Sequence, residues 1–120
     1  MTELVPTTRH GDVFVFAPRG ALMEGSLNEE VHHSVQLVLA EGLNHIVIDL
    51  SNVPWLNSSG IGTLMGCRTE CLEAGGRFAL ASANEKITQL FTTLMLNTVL
   101  DLYETVDEAV QALGGNTDGS

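Results

Sequence analysis

Residues 45–76 read HIVIDLSNVPWLNSSGIGTLMGCRTECLEAGG, and this stretch decides the fold. His45 to Leu50 is a short, β-branched, apolar run, the pattern of a strand buried on both faces. Ile61, Leu64, Met65, Cys71 and Leu72 recur at helical spacing, and Gly75-Gly76 closes that helix. Between them stands PWLNSSGIG, residues 54–62. Asn57, Ser58 and Ser59 are all good N-cap residues, and a helix needs only one. Gly60 and Gly62 let the helix approach the sheet closely. Gly60, Gly62 and Gly66 also cost about 1 kcal/mol each in helix propensity relative to alanine. A buried strand thus hands over to a weakened helix start through a loop of hydroxyl and amide side chains, and such a start often serves a site.

On the N-terminal side, Leu4 to Arg9 and Val13 to Ala17 are predicted strands of a hairpin about the turn His10-Gly11-Asp12. Pro18 marks a strand end or an edge. Gly20 to Ser26 reads as a loop. Leu27, Val31, Val35, Val38 and Leu39 then follow helical spacing, with Gly42 as the stop. On the C-terminal side, Arg77 to Ala81 is a strand. Asn84 is an N-cap for a helix carrying Ile87, Leu90, Phe91 and Leu94 on one face. Val99 to Tyr103 is a last short strand, and Thr105-Val106-Asp107-Glu108 is a capping box before Ala109, Val110 and Leu113. Strands alternating with helices predict an α/β sandwich with parallel neighbours. The domain is expected to span residues 1–114, with a flexible polar tail at 115–120.

The chain has 120 residues, 44% of them hydrophobic, which suits one globular domain with a core of its own. It carries 15 acidic residues against 5 basic ones, a net charge of −10. Arg9, Arg19, Arg68, Arg77 and Lys86 are too few and too scattered to track phosphates, which argues against nucleic acid and against direct membrane binding. A basic protein partner suits the charge. No apolar stretch reaches the length of a membrane span and no signal pattern opens the chain, so a cytoplasmic location is expected. Cys67 and Cys71 lie four apart on one predicted helix and read as reduced, packed thiols. His10, His32, His33 and His45 do not complete a metal site with them, so no metal and no cofactor is expected.

The serine loop does not read as an enzyme site. G-x-S-x-G is absent because Asn57 follows Leu56 where its first glycine belongs. No histidine stands in a nearby loop to act as base, and no lysine follows the glycines as in a P-loop. What remains is a hydroxyl at a helix N-terminus, where unpaired N–H groups and the helix dipole favour anions. A phosphoserine there would add about −1.5 to −2 of charge.

The run IVIDLSNVPWLNSSGIGTLMGCRTECLEAGGRFALASANEKITQLFTTLMLNTVLDLYETVDEAV resembles a STAS domain, and more narrowly a bacterial anti-sigma-factor antagonist. The apolar strand, the (D/N)-S-(S/T)-G-(L/I)-G helix entrance, the helix closed by GG, and the final strand and capped helix follow in the family's order. RGALM, residues 19–23, resembles the family's G-x-(L/I)-(D) segment. Asn57 and Met23 stand where the family usually has aspartates.

The resemblance implies a STAS-like sandwich, a small mixed β-sheet packed against helices on one side. It also implies partner switching. The unmodified antagonist binds an anti-sigma factor that is also a serine kinase, and the sigma factor is freed. Phosphorylation of the antagonist breaks the complex, and a serine phosphatase resets it. The target serine maps to Ser58, with Ser59 as the second candidate.

The expected partner surface joins Gly20, Leu22 and Met23 to Trp55, Asn57, Ser58, Ser59, Gly60 and Ile61. Both loops follow strands and should share one end of the sheet. Leu22, Met23, Trp55 and Ile61 are the apolar candidates for its centre. The alternative reading is a non-phosphorylated STAS scaffold or accessory subunit of a larger complex such as a phospholipid transporter, with Ser58 merely capping the helix. A Ser58 nucleophile is the weakest reading, for want of a base.

Overall fold

The computed structural model describes residues 5–114, so Leu4 and the tail expected at 115–120 lie outside the described residues. The strands are β1 (Thr7–His10), β2 (Val13–Phe16), β3 (His45–Asp49), β4 (Arg77–Ala81) and β5 (Leu102–Tyr103). The helices are α1 (Ser26–Ala40), α2 (Ser58–Glu73), α3 (Glu85–Thr93) and α4 (Val106–Ala112), with a 3-10 turn at Leu96–Thr98. The sheet order is β1-β2-β3-β4-β5. β1 pairs antiparallel with β2 across the Gly11-Asp12 turn, and every other pairing is parallel. The expected mixed sheet is therefore present, each parallel pair joined through a helix, as parallel strands require.

Alternation along the strands explains both layers. Phe14, Phe16, Ile46, Ile48, Phe78 and Leu80 face one way and meet α1, α2 and α3 through Val31, Val35, Leu64, Cys67, Cys71, Ile87 and Phe91. Val13, Val15, Val47, Ala79 and Ala81 face the other way and meet α4 through Ala109, Val110 and Leu113. Three helices thus lie on one side, as expected, but α4 departs from the one-sided arrangement and covers the second face. The cause is in the strands: Val13, Val47 and Ala79 are wholly buried and need cover on that side too. Each large side chain so buried stabilises the fold by about 1.5–3 kcal/mol before conformational entropy is set against it.

Several boundaries differ from the sequence reading. β5 is two residues long because the Leu96–Thr98 turn reaches into its expected start: Val99 N–H and Leu100 N–H both donate to Leu96 O, at 3.0 and 2.7 Å. Helical spacing places Leu72 and Leu94 on inward faces, yet both are exposed. Leu72 follows the buried Cys71 and is turned about 100° away from it, and Leu94 sits at the C-cap of α3. The helix stops are as read: α1 ends two residues before Gly42, whose φ of +87° suits glycine.

Candidate functional site

β2 and β3 are adjacent and parallel, so the segments leaving them emerge at the same end of the sheet. They run side by side. Gly20 N–H donates to Asn52 O at 3.0 Å, Leu22 N–H to Trp55 O at 3.0 Å, and Asn57 N–H to Leu22 O at 3.3 Å. Leu22 and Leu56 form a one-residue parallel bridge. The two loops expected to share one end of the sheet are thus hydrogen-bonded into one surface.

Of the three polar residues that compete to cap α2, Asn57 is the cap. Its backbone is extended, and its Oδ1 accepts from Ser59 N–H at 3.0 Å and Gly60 N–H at 3.3 Å. Ser58 is therefore not a cap. It is the first helical residue, and it is exposed. Ser59 follows, half-buried. Two of the unpaired N–H groups expected at this helix end are consequently taken by Asn57, and Ile61 N–H is taken by Asn57 O at 2.9 Å. An anion on Ser58 would meet the helix dipole but not those three donors.

Gly60 is buried against the first loop. A Cβ built there would overlap the Leu22 carbonyl oxygen and lie 2.8 Å from Leu22 Cβ, so only glycine fits without movement. At Gly62 a built Cβ meets nothing within 4 Å. Gly60 therefore has a structural reason that Gly62 lacks.

The remaining predicted surface residues divide. Met23 is 39% exposed. Trp55 and Ile61 are partly buried, packed against the core with an edge left to solvent. Gly20 is partly buried in the loop. Leu22 is wholly buried, so its side chain supports the surface from beneath and offers no contact of its own.

Two contacts around the loop are tertiary. Lys86 Nζ lies 5.6 Å from the centroid of the Trp55 ring, a cation–π contact that brings the start of α3 beside the loop. Glu24 Oε1 accepts from Asn57 Nδ2 at 3.1 Å. The Glu24 carboxyl is held below its ordinary value, first by a backbone N–H of its own residue, then by Asn57 and, more weakly, by the Ser59 hydroxyl. Asp49, at the end of β3, accepts from Ser51 N–H at 2.9 Å.

Elsewhere, a cavity of about 430 Å³ opens beyond the carboxyl ends of β4 and β5, lined by Ala83, Glu85, Thr88, Leu102, Tyr103 and Glu104. It shares no residue with the start of α2. Cys67 and Cys71 are buried free thiols, each pushed up to about 12, chiefly by burial, which makes them core residues and poor nucleophiles.

Comparison with known proteins bears on this geometry. Across 77 residues the chain is 30% identical to a Thermotoga neapolitana protein described as a candidate anti-sigma factor antagonist; the match covers 64% of this chain and 68% of that one. The crystal structure of a candidate anti-sigma factor antagonist from Thermotoga maritima superposes with a TM-score of 0.78 at 27% identity, covering 92% of this chain and 94% of the other. The Bacillus cell fate determinant SpoIIAA in its phosphorylated form shares the fold, with a TM-score of 0.70 at 18% identity over 90% of this chain and 97% of its own. Residues 5–109, which include both loops and the whole of α2, match the STAS domain, and the chain belongs to that family.

Proposed function

We propose that this chain is a cytoplasmic anti-sigma-factor antagonist that works by partner switching, with Ser58 as its switch. Unphosphorylated, it binds an anti-sigma factor that is also a serine kinase, and the sigma factor is released. Ser58 Oγ then takes the γ-phosphoryl group of ATP. The new O–P bond replaces the one to ADP, and the hydroxyl proton passes to the kinase's base. The complex separates, and a serine phosphatase hydrolyses the ester. The observation that carries this reading is the position of Ser58, exposed at the first helical residue while Asn57 does the capping. The antagonist descriptions of the Thermotoga relatives support it.

The switch acts on the partner more than on the fold. A phosphate on Ser58 sits at the positive end of α2, where the dipole favours it by about 0.3–2 kcal/mol. In the complex it would be a dianion pressed into a contact built for a neutral hydroxyl, and its desolvation costs several kcal/mol unless a cation waits for it. Affinity for the kinase is expected to fall at least ~10-fold, about 1.4 kcal/mol, with the melting temperature moving only a few degrees. The test is intact mass and peptide mapping after incubation with ATP and the serine-kinase anti-sigma factors of the source organism, with binding isotherms and melts on both forms. One phosphate on Ser58, absent from Ser58→Ala, with weakened binding, is the expected result. Phosphate surviving in Ser58→Ala, or unchanged affinity of the phosphorylated form, refutes the proposal.

A further inference from the structure

Ser58 and Ser59 stand side by side at the start of α2, and a kinase that reaches one is close to the other. They differ in what surrounds them. The Asn57 side-chain amide takes the Ser59 N–H on its oxygen at 3.0 Å and donates from its nitrogen to Glu24 Oε1 at 3.1 Å. Ser59 and the Glu24 carboxylate are thus held at the two polar ends of one flat amide. Ser59 is half-buried beside it, and its side chain helps, more weakly, to hold the Glu24 carboxyl below its ordinary value. Ser58 is exposed, and on a helix its side chain is turned about 100° from that of Ser59.

We propose that Glu24 chooses between the two serines, closing Ser59 to phosphate and leaving Ser58 as the acceptor. The proposal rests on the switch proposed above and names the residue that directs it. A phosphate on Ser59 would place about −1.5 to −2 of charge close to a carboxylate that Asn57 holds in position. Among the described residues no lysine or arginine forms an ion pair with Glu24 to offset the repulsion. Ser58 is exposed and is not among the groups that act on the Glu24 carboxyl, so a phosphate there is screened from it by solvent.

The test needs no kinase. Phosphoserine is installed during synthesis at position 58 or 59, each in the wild-type chain and in Glu24→Gln. That substitution keeps an acceptor for Asn57 Nδ2 and deletes the charge. Phosphorus NMR then follows the second ionisation of each phosphate. At position 59 the phosphate is expected to titrate higher in the wild-type chain than in Glu24→Gln, by about half a pH unit or more, which is roughly a threefold change in its ionisation constant. At position 58 the difference is expected to stay below about 0.2 unit. Equal coupling at both positions, or none at 59, overturns the proposal. A chain that accepts no phosphate from ATP would sink the proposed switch and leave this result standing, so the two failures are distinguishable. Where a kinase does modify the chain, Glu24→Gln is expected to raise the Ser59 to Ser58 ratio at least ~10-fold, and an unchanged ratio counts against Glu24.

Discussion

Gly60→Ala perturbs the joint on which the candidate site depends. The added methyl overlaps the Leu22 carbonyl oxygen and lies 2.8 Å from Leu22 Cβ and 3.0 Å from Leu22 C. Two of those three atoms are backbone, so no rotamer change relieves the contact. Either the loop from Gly20 to Gly25 moves off or α2 does. Overpacking of this kind costs about 1–3 kcal/mol. Lifting the loop also strains Leu22 N–H to Trp55 O and Asn57 N–H to Leu22 O, each worth about 0.5–1.5 kcal/mol. Against this stands about 1 kcal/mol of helix propensity gained by alanine. The balance is a loss of about 1–5 kcal/mol, or roughly 4–20 °C in melting temperature for a domain of this size. Gly62→Ala is the matched control. It gains the same propensity on the same helix, and its methyl meets nothing within 4 Å. It is expected to raise stability by up to about 1 kcal/mol. Circular dichroism melts and urea titrations of the three proteins decide the matter. If Gly60→Ala is as stable as wild type, or if the two alanines behave alike, the close packing of α2 on the Leu22 loop is not what makes glycine necessary at position 60.

Two further outcomes follow from the same geometry. Asn57→Ala removes the acceptor of Ser59 N–H and Gly60 N–H and the donor to Glu24 together, and is expected to cost about 1–2 kcal/mol in urea titration, whereas Ser58→Ala, which removes no cap, should stay within about 0.5 kcal/mol of wild type. The thiols of Cys67 and Cys71 are raised from the ordinary 9.0 to about 12 in the folded state, so their contribution to stability is complete below pH 9 and is lost as pH rises toward about 12; unfolding midpoints measured across that range should fall more steeply in wild type than in a Cys67→Ala, Cys71→Ala double variant, and parallel curves would contradict the burial argument.

The legible parts of this molecule are those fixed by local chemistry. β4 is readable at its true bounds, Arg77–Ala81, because an apolar run ends at both sides in residues that do not continue a strand. Asn84 and Thr105 read as caps and are caps, accepting from Ile87 N–H at 2.8 Å and Glu108 N–H at 3.1 Å, since each stands without an adjacent Ser, Thr, Asn or Asp to compete for the role. At the start of α2 three such residues stand in a row, and propensity ranks Asn and Ser alike, so sequence has no means to choose. The choice is tertiary. Asn57 alone can offer an oxygen to the helix and an N–H to something else, and that something is Glu24, 33 residues away. A serine at the cap has one hydroxyl for both tasks. The same reasoning explains Leu22, a surface candidate beside Met23 in sequence yet wholly buried. Its backbone bridges Leu56, and in an extended segment neighbouring side chains point to opposite sides, so burying Leu22 is what turns Met23 outward. The exposed part of the site is therefore set by which loop residues the core claims first. Ser58 belongs to that exposed part because Asn57, held between the helix start and Glu24, already occupies the capping position.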